Sequence, residues 1–557
     1  MDDCGRQHQT PENRTIMKKL SLLLFSACLY TSAQAQTWQD TVARIEAAFS
    51  RYKPDGPGAQ MAISRNGQVI FSKAWGLADL EHNVKLSTAS LIEAGSVSKQ
   101  FTAAAILLLE QEGKLSLDDE VHKYIPELPD YGTLITIRHL MQHTSGLKDW
   151  GSIAAIAGWP RGTKAYDNLD ALAIICRQKT LNNVPGAEYI YSNTGYTLMT
   201  IIVQRVSGKE MKDFSRPAIF DPAGMQQSIW RSSYKLMVPG RAMAYSTIGP
   251  KYLNDMPNES VYGHGGLLTT AEELLRWTQF YTTGKLGNPS LFPKQVTTRP
   301  LNNGNPHNYA AGLVVTKLNG KEVIMHSGAT ASYRANLEYF PELGLTFAFL
   351  SNTSAFDRDS TVPFILARNI FIPEPKPKKP QTAVPPLAVP EETLRNYTGW
   401  YQFSRDGRGL KLSIKNGQLY AGNNTALYPL GKNRFKNERG GVYEFAEGSF
   451  SEITPEKDTL QYKAVDFANI NNDGAAARYT GEYYSEEADA RVTIEAEGTT
   501  VWLVQKANSK LTLNPQYKDG FETPYGPLYF ERNEQNKISG FKISISRARN
   551  VSFTKVK

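Results

Sequence analysis

The sequence predicts an α/β domain followed by an all-β, barrel-like region. Three observations carry that reading. Strand-like runs at 60–64 and 69–75 return at 312–317, 322–326, 335–340 and 345–350, with helical patterning dominating from 97 to about 285. One sheet is therefore expected to mix N- and C-terminal strands. Next, residues 373–390 (PEPKPKKPQTAVPPLAVP) hold seven prolines, which favour a stiff, extended spacer. Beyond it, short alternating segments recur at 410–416, 441–447, 490–497, 500–505 and 541–546, the pattern of many short strands.

In chain order, Met17-Lys18-Lys19 is a basic start and Leu20 to Leu29 an apolar run. Ala33-Gln34-Ala35 then fits an A-x-A cleavage site before Gln36. The apolar run is about half of the ~20 residues a membrane span needs. A signal peptide at 17–35 is expected, and with it a periplasmic or extracellular location and no transmembrane helix after its removal. Lipoprotein processing at Cys28 is a minor alternative, since Phe25 stands where a lipobox prefers Leu. Residues 37–50 read as an amphipathic helix through Trp38, Val42, Ile45 and Phe49. Asn66-Gly67 between two strand-like runs signals a tight hairpin. Tyr397-Thr398-Gly399-Trp400-Tyr401 is echoed by Tyr479-Thr480-Gly481-Glu482-Tyr483. Two tandem β units or two halves of one larger barrel would both explain the echo. The expected organisation is an extension and leader at 1–35, an α/β domain at 36–372, the linker at 373–390, and β-rich units at 391–475 and 476–557.

The chain has 557 residues, too many for one core, and a formal charge of +8 spread thinly along it. No dense Lys/Arg stripe with interleaved aromatics is present, so nucleic acid is not an expected partner. Of three cysteines (Cys4, Cys28 and Cys176) only Cys176 would survive cleavage, leaving no internal disulfide. Cys176 reads as a small buried hydrophobe before it reads as a nucleophile. No zinc-type His/Cys spacing and no phosphate-binding glycine loop occurs, so neither metal nor organic cofactor is expected.

The chemistry starts at Gly95-Ser96-Val97-Ser98-Lys99, which opens an Ala-rich helical pattern ending near Gly113. Ser96 and Lys99, three apart, share one helix face. A serine hydroxyl needs a neighbouring base. A lysine serves if burial and the positive helix end lower its pKa. The Ser96 N–H is a candidate oxyanion donor. Alone, S-x-x-K is weak: Ser50/Lys53, Ser145/Lys148, Ser232/Lys235 and Ser552/Lys555 match it too, and an isolated case more often marks a helix N-cap. Tyr191-Ser192-Asn193 follows, offering a hydroxyl for proton relay and an amide to hold a carbonyl; Tyr252-Leu253-Asn254 shows how common that spacing is. Then comes His326-Ser327-Gly328-Ala329, after a strand-like run. Here His326 could supply a hydrogen bond or positive charge, Gly328 a close backbone approach, and Ala329 N–H a second oxyanion donor.

The order S-x-x-K, Y-x-N, H-x-G resembles the penicillin-recognising serine hydrolases, a family of class C β-lactamases, D,D-carboxypeptidases, D-aminopeptidases and related esterases. Flanking stretches at 135–147, 185–198 and 262–277 are similar too, and the resemblance covers roughly 40–370. It implies a β-lactamase/transpeptidase-like fold, an antiparallel sheet flanked by helices. It implies an acyl-enzyme on Ser96, acid/base work shared by Lys99 and Tyr191, and substrate orientation by Asn193. His326 stands where many β-lactamases carry lysine, which tilts the expectation from β-lactam hydrolysis towards peptidase or esterase chemistry. The expected substrate is a small peptide, ester or β-lactam. The C-terminal region resembles barrel-like domains appended to D-aminopeptidases, which can restrict the active site. Rival readings are an acylation trap with little turnover, and a binding module on a degenerate hydrolase fold. His143 and His264 are read as turn residues, and Arg334 as either a carboxylate contact or a surface ion pair. Oligomeric state is not readable from the sequence.

Overall fold

The computed structural model describes residues 38–356, 361–375, 389–467, 476–506 and 509–556. The expected leader at 17–35, Cys4 and Cys28, and residues 376–388 of the proline-rich stretch lie outside the described residues.

A six-stranded antiparallel sheet forms the backbone of the N-terminal part. Its strand order is Val314–Leu318, Lys321–Thr330, Tyr333–Phe340, Leu345–Ser351, Ala59–Arg65, Gln68–Trp75. The N- and C-terminal strands meet at its centre, where Ala59 pairs with Ser351 and Arg65 with Leu345. The hairpin at Asn66-Gly67 forms as expected: both residues have positive φ (51° and 80°), the geometry a two-residue turn needs to match strand twist.

Both faces of the central strands are buried, and side chains alternate between two cores. Met61, Ile63, Phe347 and Phe349 face a cluster with Ile45, Phe49, Phe364 and Ala367, from the helix at 38–48 and the helix Val362–Phe371. Ala62, Ala348 and Leu350 face the larger helical core on the other side. At its middle runs the helix Lys99–Gln111, buried on nearly every face. A helix apolar all round is stable only when enclosed, and here Asn193–Ser207, Met211–Ser215 and Leu291–Val296 enclose it. Helices are the main regular elements between 97 and 285, joined by long irregular segments and by short strands such as Ile229–Trp230, Tyr245–Ile248, Lys251–Asn254 and Leu267–Thr269. Tyr245–Ile248 and Lys251–Asn254 pair locally with each other, whereas Leu267–Thr269 pairs with the distant Ile229–Trp230, a pairing that leaves no local periodicity.

The C-terminal region forms two closed antiparallel barrels of eight strands each, spanning Gly399–Val465 and Gly481–Lys555. The sequence echo marks the start of each. Gly399 and Gly481 hold φ of +133° and +142°. Tyr401 Oη donates to Tyr397 O at 3.2 Å, and Tyr483 Oη to Tyr479 O at 2.7 Å. Two halves of one larger barrel is therefore not the solution adopted. The second barrel shares one continuous core cluster with the enzyme domain, whereas the first has its own.

Candidate active site

Ser96 lies in a 3-10 turn, Gly95–Ser98, immediately before the α-helix that begins at Lys99. In such a turn residues three apart eclipse, so Lys99 comes directly under Ser96. The turn packs against the strand Lys321–Thr330. The neighbouring strand covers that edge only from Lys321 to Met325, leaving the edge from His326 onwards open. Two glycines make the approach possible. A Cβ on Gly328 would lie 2.1 Å from Ala94 O and 3.1 Å from Ser96 N, and one on Gly95 2.7 Å from Ala329 N. Gly95 also has φ +50°, which favours glycine. These contacts place Ala329 on an open strand edge beside the Ser96 main chain.

Tyr191 and Asn193 arrive on the start of the helix Asn193–Ser207, whose N-cap Ser192 accepts from Thr194 N at 3.2 Å. Asp149 fixes this entry: it caps its own helix, Trp150–Ile156, through Ser152 N and accepts Asn193 N at 2.7 Å. His143 Nδ1 accepts from Ser192 N at 3.2 Å, and its ring lies 4.2 Å from that of Tyr191. His143 has φ +58°, the turn geometry expected, and it also buttresses the tyrosine.

Lys99 is completely enclosed. Its Nζ lies 2.9 Å from Asn193 Oδ1, 2.7 Å from His264 O and 3.2 Å from Ser96 Oγ. Burial, reinforced by the Arg161 and Arg547 charges, drives its pKa well below the ordinary lysine value. In its neutral form the amine would have two hydrogens for two fixed acceptors, Asn193 Oδ1 and His264 O, leaving its lone pair for the Ser96 hydroxyl. Tyr191 moves the other way: burial pushes its hydroxyl pKa up, opposed by the nearby Ser96 hydroxyl and the Arg547 charge. Tyr191 Oη is within electrostatic reach of Ser96 but makes no strict hydrogen bond among the described residues. Its ring lies 4.9 Å from Lys99 Nζ and 4.8 Å from Arg547 Cζ.

His326 is neutral rather than cationic, so the charged alternative is corrected. Its Nδ1 faces Ser327 O at 2.6 Å and its Nε2 faces Tyr309 Oη at 2.9 Å. The first contact needs Nδ1–H, so Nε2 accepts from the tyrosine. Burial lowers its pKa to about 3. His264 is held by its main-chain contact to Lys99 and a ring contact to Thr197 Oγ1 at 3.3 Å, again buried and neutral.

A cavity of about 440 Å³ opens over Ser96, lined among others by Tyr191, Asn193, His326, Gly328, Ala329 and Arg547. The structure thus brings every expected site residue to one place. Sequence reasoning missed Asp149, Tyr309 and Arg547. An N-cap signal before Trp150 was available for Asp149. Arg547 had none, because it sits in a barrel hairpin that reaches the site only in three dimensions. Arg334 lines the cavity as well, and its Nη1 donates to Ala331 O and Tyr333 O. Cys176 is a free, half-buried thiol whose pKa burial raises to about 11, which leaves it protonated and inert at neutral pH. The other S-x-x-K lysine nearby, Lys148, is consumed in a buried ion pair with Glu487.

Compared with known families, residues 42–369 match the β-lactamase family. The chain belongs to this family. It is a serine hydrolase of β-lactamase type with two C-terminal barrels. A D-aminopeptidase of Gluconobacter oxydans is 28% identical over 298 residues, 53% of this chain and 56% of that protein's length. Penicillin-binding protein 4* of Bacillus subtilis is 28% identical over 410 residues, 67% of this chain and 86% of that one. Among solved structures, the octameric penicillin-binding protein homologue from Pyrococcus abyssi shares the fold, with a TM-score of 0.51 at 21% identity, covering 86% of this chain and 99% of the other. Among the described residues no helix is long and apolar enough to cross a membrane.

Proposed function

We propose that this family member is an exported hydrolase that cleaves an amide or ester through an acyl-enzyme on Ser96. The observation that carries the reading is the position of Lys99 Nζ, hydrogen-bonded to two fixed acceptors with its third direction on Ser96 Oγ. The Lys99 amine takes the Ser96 proton as Oγ attacks the carbonyl carbon. The Ser96 and Ala329 N–H groups hold the resulting oxyanion. Tyr191, kept protonated by burial, relays the proton from Lys99 to the leaving nitrogen or oxygen as that bond breaks. Asn193, its Oδ1 spent on Lys99, turns its amide N–H groups to the substrate. Water then attacks the ester carbonyl with the same groups in reverse order, and Ser96 is released. His326, neutral and held by Tyr309, shapes the pocket wall without adding charge. No step draws on a metal or cofactor.

The relatives named D-aminopeptidase and penicillin-binding protein support small peptides with D-amino acids as the substrate class. The leader at 17–35 supports export. The test is a panel of a chromogenic cephalosporin, short-chain p-nitrophenyl esters and alanine peptides, with Ser96→Ala as control. Turnover of some member, reduced at least about a thousandfold in Ser96→Ala, is expected. No turnover, with no covalent mass from a fluorophosphonate, overturns the reading. One equivalent of label from a β-lactam without turnover assigns an acylation trap instead.

A further inference from the structure

The cavity over Ser96 is one-sided in charge. Arg161, Arg334 and Arg547 line it, and no carboxylate lines it among the described residues. Two of the arginines are engaged. Arg161 Nε donates to Glu259 Oε2 at 2.9 Å, and Arg334 donates to two main-chain carbonyls. Arg547 differs. Among the described residues its guanidinium forms no hydrogen bond or ion pair, and the contact it makes is the Tyr191 ring at 4.8 Å.

Its place is set through its main chain. Arg547 sits in the hairpin between the strands Ile538–Ile545 and Ala548–Lys555 of the second barrel. Arg547 O accepts from Asp149 N at 3.0 Å and from Asn182 Nδ2 at 3.0 Å. Two residues on, Arg549 N donates to Asn182 Oδ1 at 2.7 Å and its guanidinium grips Glu188 at 3.0 to 3.1 Å. The hairpin is clamped to the rim of the site by the same Asp149 that positions Asn193. The main chain that carries this cation is therefore fixed at the rim of the site by contacts that do not use its charge, and the guanidinium lines the same cavity as Ser96.

We infer that Arg547 is a specificity residue delivered by the second barrel, and that it binds a carboxylate of the substrate. The chain then prefers acylated peptides ending in a free carboxylate over peptides with a free α-ammonium group. This inference rests on the reading of Ser96 as the reacting centre. A guanidinium pairs with a carboxylate through parallel hydrogen bonds. An ammonium entering the same cavity meets cations and gains no counter-charge.

The test reads equilibrium binding on the full-length Ser96→Ala chain, which does not need turnover. The probes are Nα-acetyl-D-alanyl-D-alanine, its C-terminal amide, and D-alanine p-nitroanilide. With Arg547 in place, the acid is expected to bind about tenfold or more tighter than the amide, and the free-ammonium compound weakest. In Arg547→Gln the acid-to-amide ratio falls to near one, and Arg547→Lys restores most of it. The ratio is taken within each variant, so general damage beside Tyr191 cancels. Equal binding of acid and amide, a ratio that survives Arg547→Gln, tighter binding of the ammonium compound, or no binding at millimolar concentration overturns the proposal. Failure of the Ser96 reading shows separately, as absence of fluorophosphonate labelling on the wild-type chain.

Discussion

Lys99 and His326 belong to one enclosed cluster, and burial moves both towards their uncharged forms. For His326 the consequence for stability has a definite sign. Its pKa falls from 6.5 in the free side chain to about 3 in the fold. Between those values the unfolded chain binds a proton that the folded chain does not, so stability is lost as pH falls from about 6.5 towards 3. His143 and His264 shift in the same direction and add to the slope. The unfolding free energy from urea titration is expected to drop by a few kcal/mol across that window, and the urea midpoint with it, less steeply in His326→Asn. A midpoint unchanged between pH 7 and 4 would show that the buried imidazoles charge freely. The hydroxyl, amine and amide of the motifs were legible as chemistry, but their protonation was not, because burial sets it and burial is a property of the packed chain.

At the scale of elements, the site depends on a 3-10 turn lying against an open strand edge. Gly328 stands at the closest point, where an added Cβ would meet Ala94 O at 2.1 Å. The obstacle is main chain and cannot rotate away. Gly328→Ala is expected to push the turn carrying Ser96 off the strand and lower kcat/KM about a hundredfold, since an ångström of misplacement costs on that order. Circular dichroism should remain native-like. An active Gly328→Ala protein would show that the turn and strand are not in register contact. The hairpin at Asn66-Gly67 and the paired Tyr-Thr-Gly starts of the barrels were readable because they are short-range: turn geometry and a Tyr-to-carbonyl bond four residues back. The short strands Ile92–Glu93, Ile229–Trp230 and Leu267–Thr269 were not, since each owes its pairing to a remote segment.

For the whole molecule, the second barrel is part of the enzyme domain's core rather than an appendage. Lys148, completely buried, pairs with Glu487 at 2.7 Å across the boundary. Glu487 also accepts from Lys179 N at 3.0 Å and Ser552 N at 3.3 Å. Removing one partner strands the other's charge in the interior, so Lys148→Met is expected to cost about 3–5 kcal/mol in urea unfolding. The hairpin bearing Arg547 should loosen with it and become sensitive to limited proteolysis. A cost below about 1 kcal/mol would show that the interface carries little of the stability.

The sequence by itself determined the order of the α/β and β regions, the internal echo that left one barrel or two open, and the S-x-x-K, Y-x-N and H-x-G groups that together resemble a serine hydrolase. These are written in local spacing and periodicity, which the backbone converts directly into faces and turns. Only the tertiary structure decided that Lys99 is enclosed with its pKa driven down, that burial pulls His326 towards its neutral form, that Asp149 anchors Asn193, and that a barrel arginine lines the cavity over the nucleophile. Those outcomes depend on desolvation and on contacts between segments far apart in the chain, and neither has a signature in local sequence.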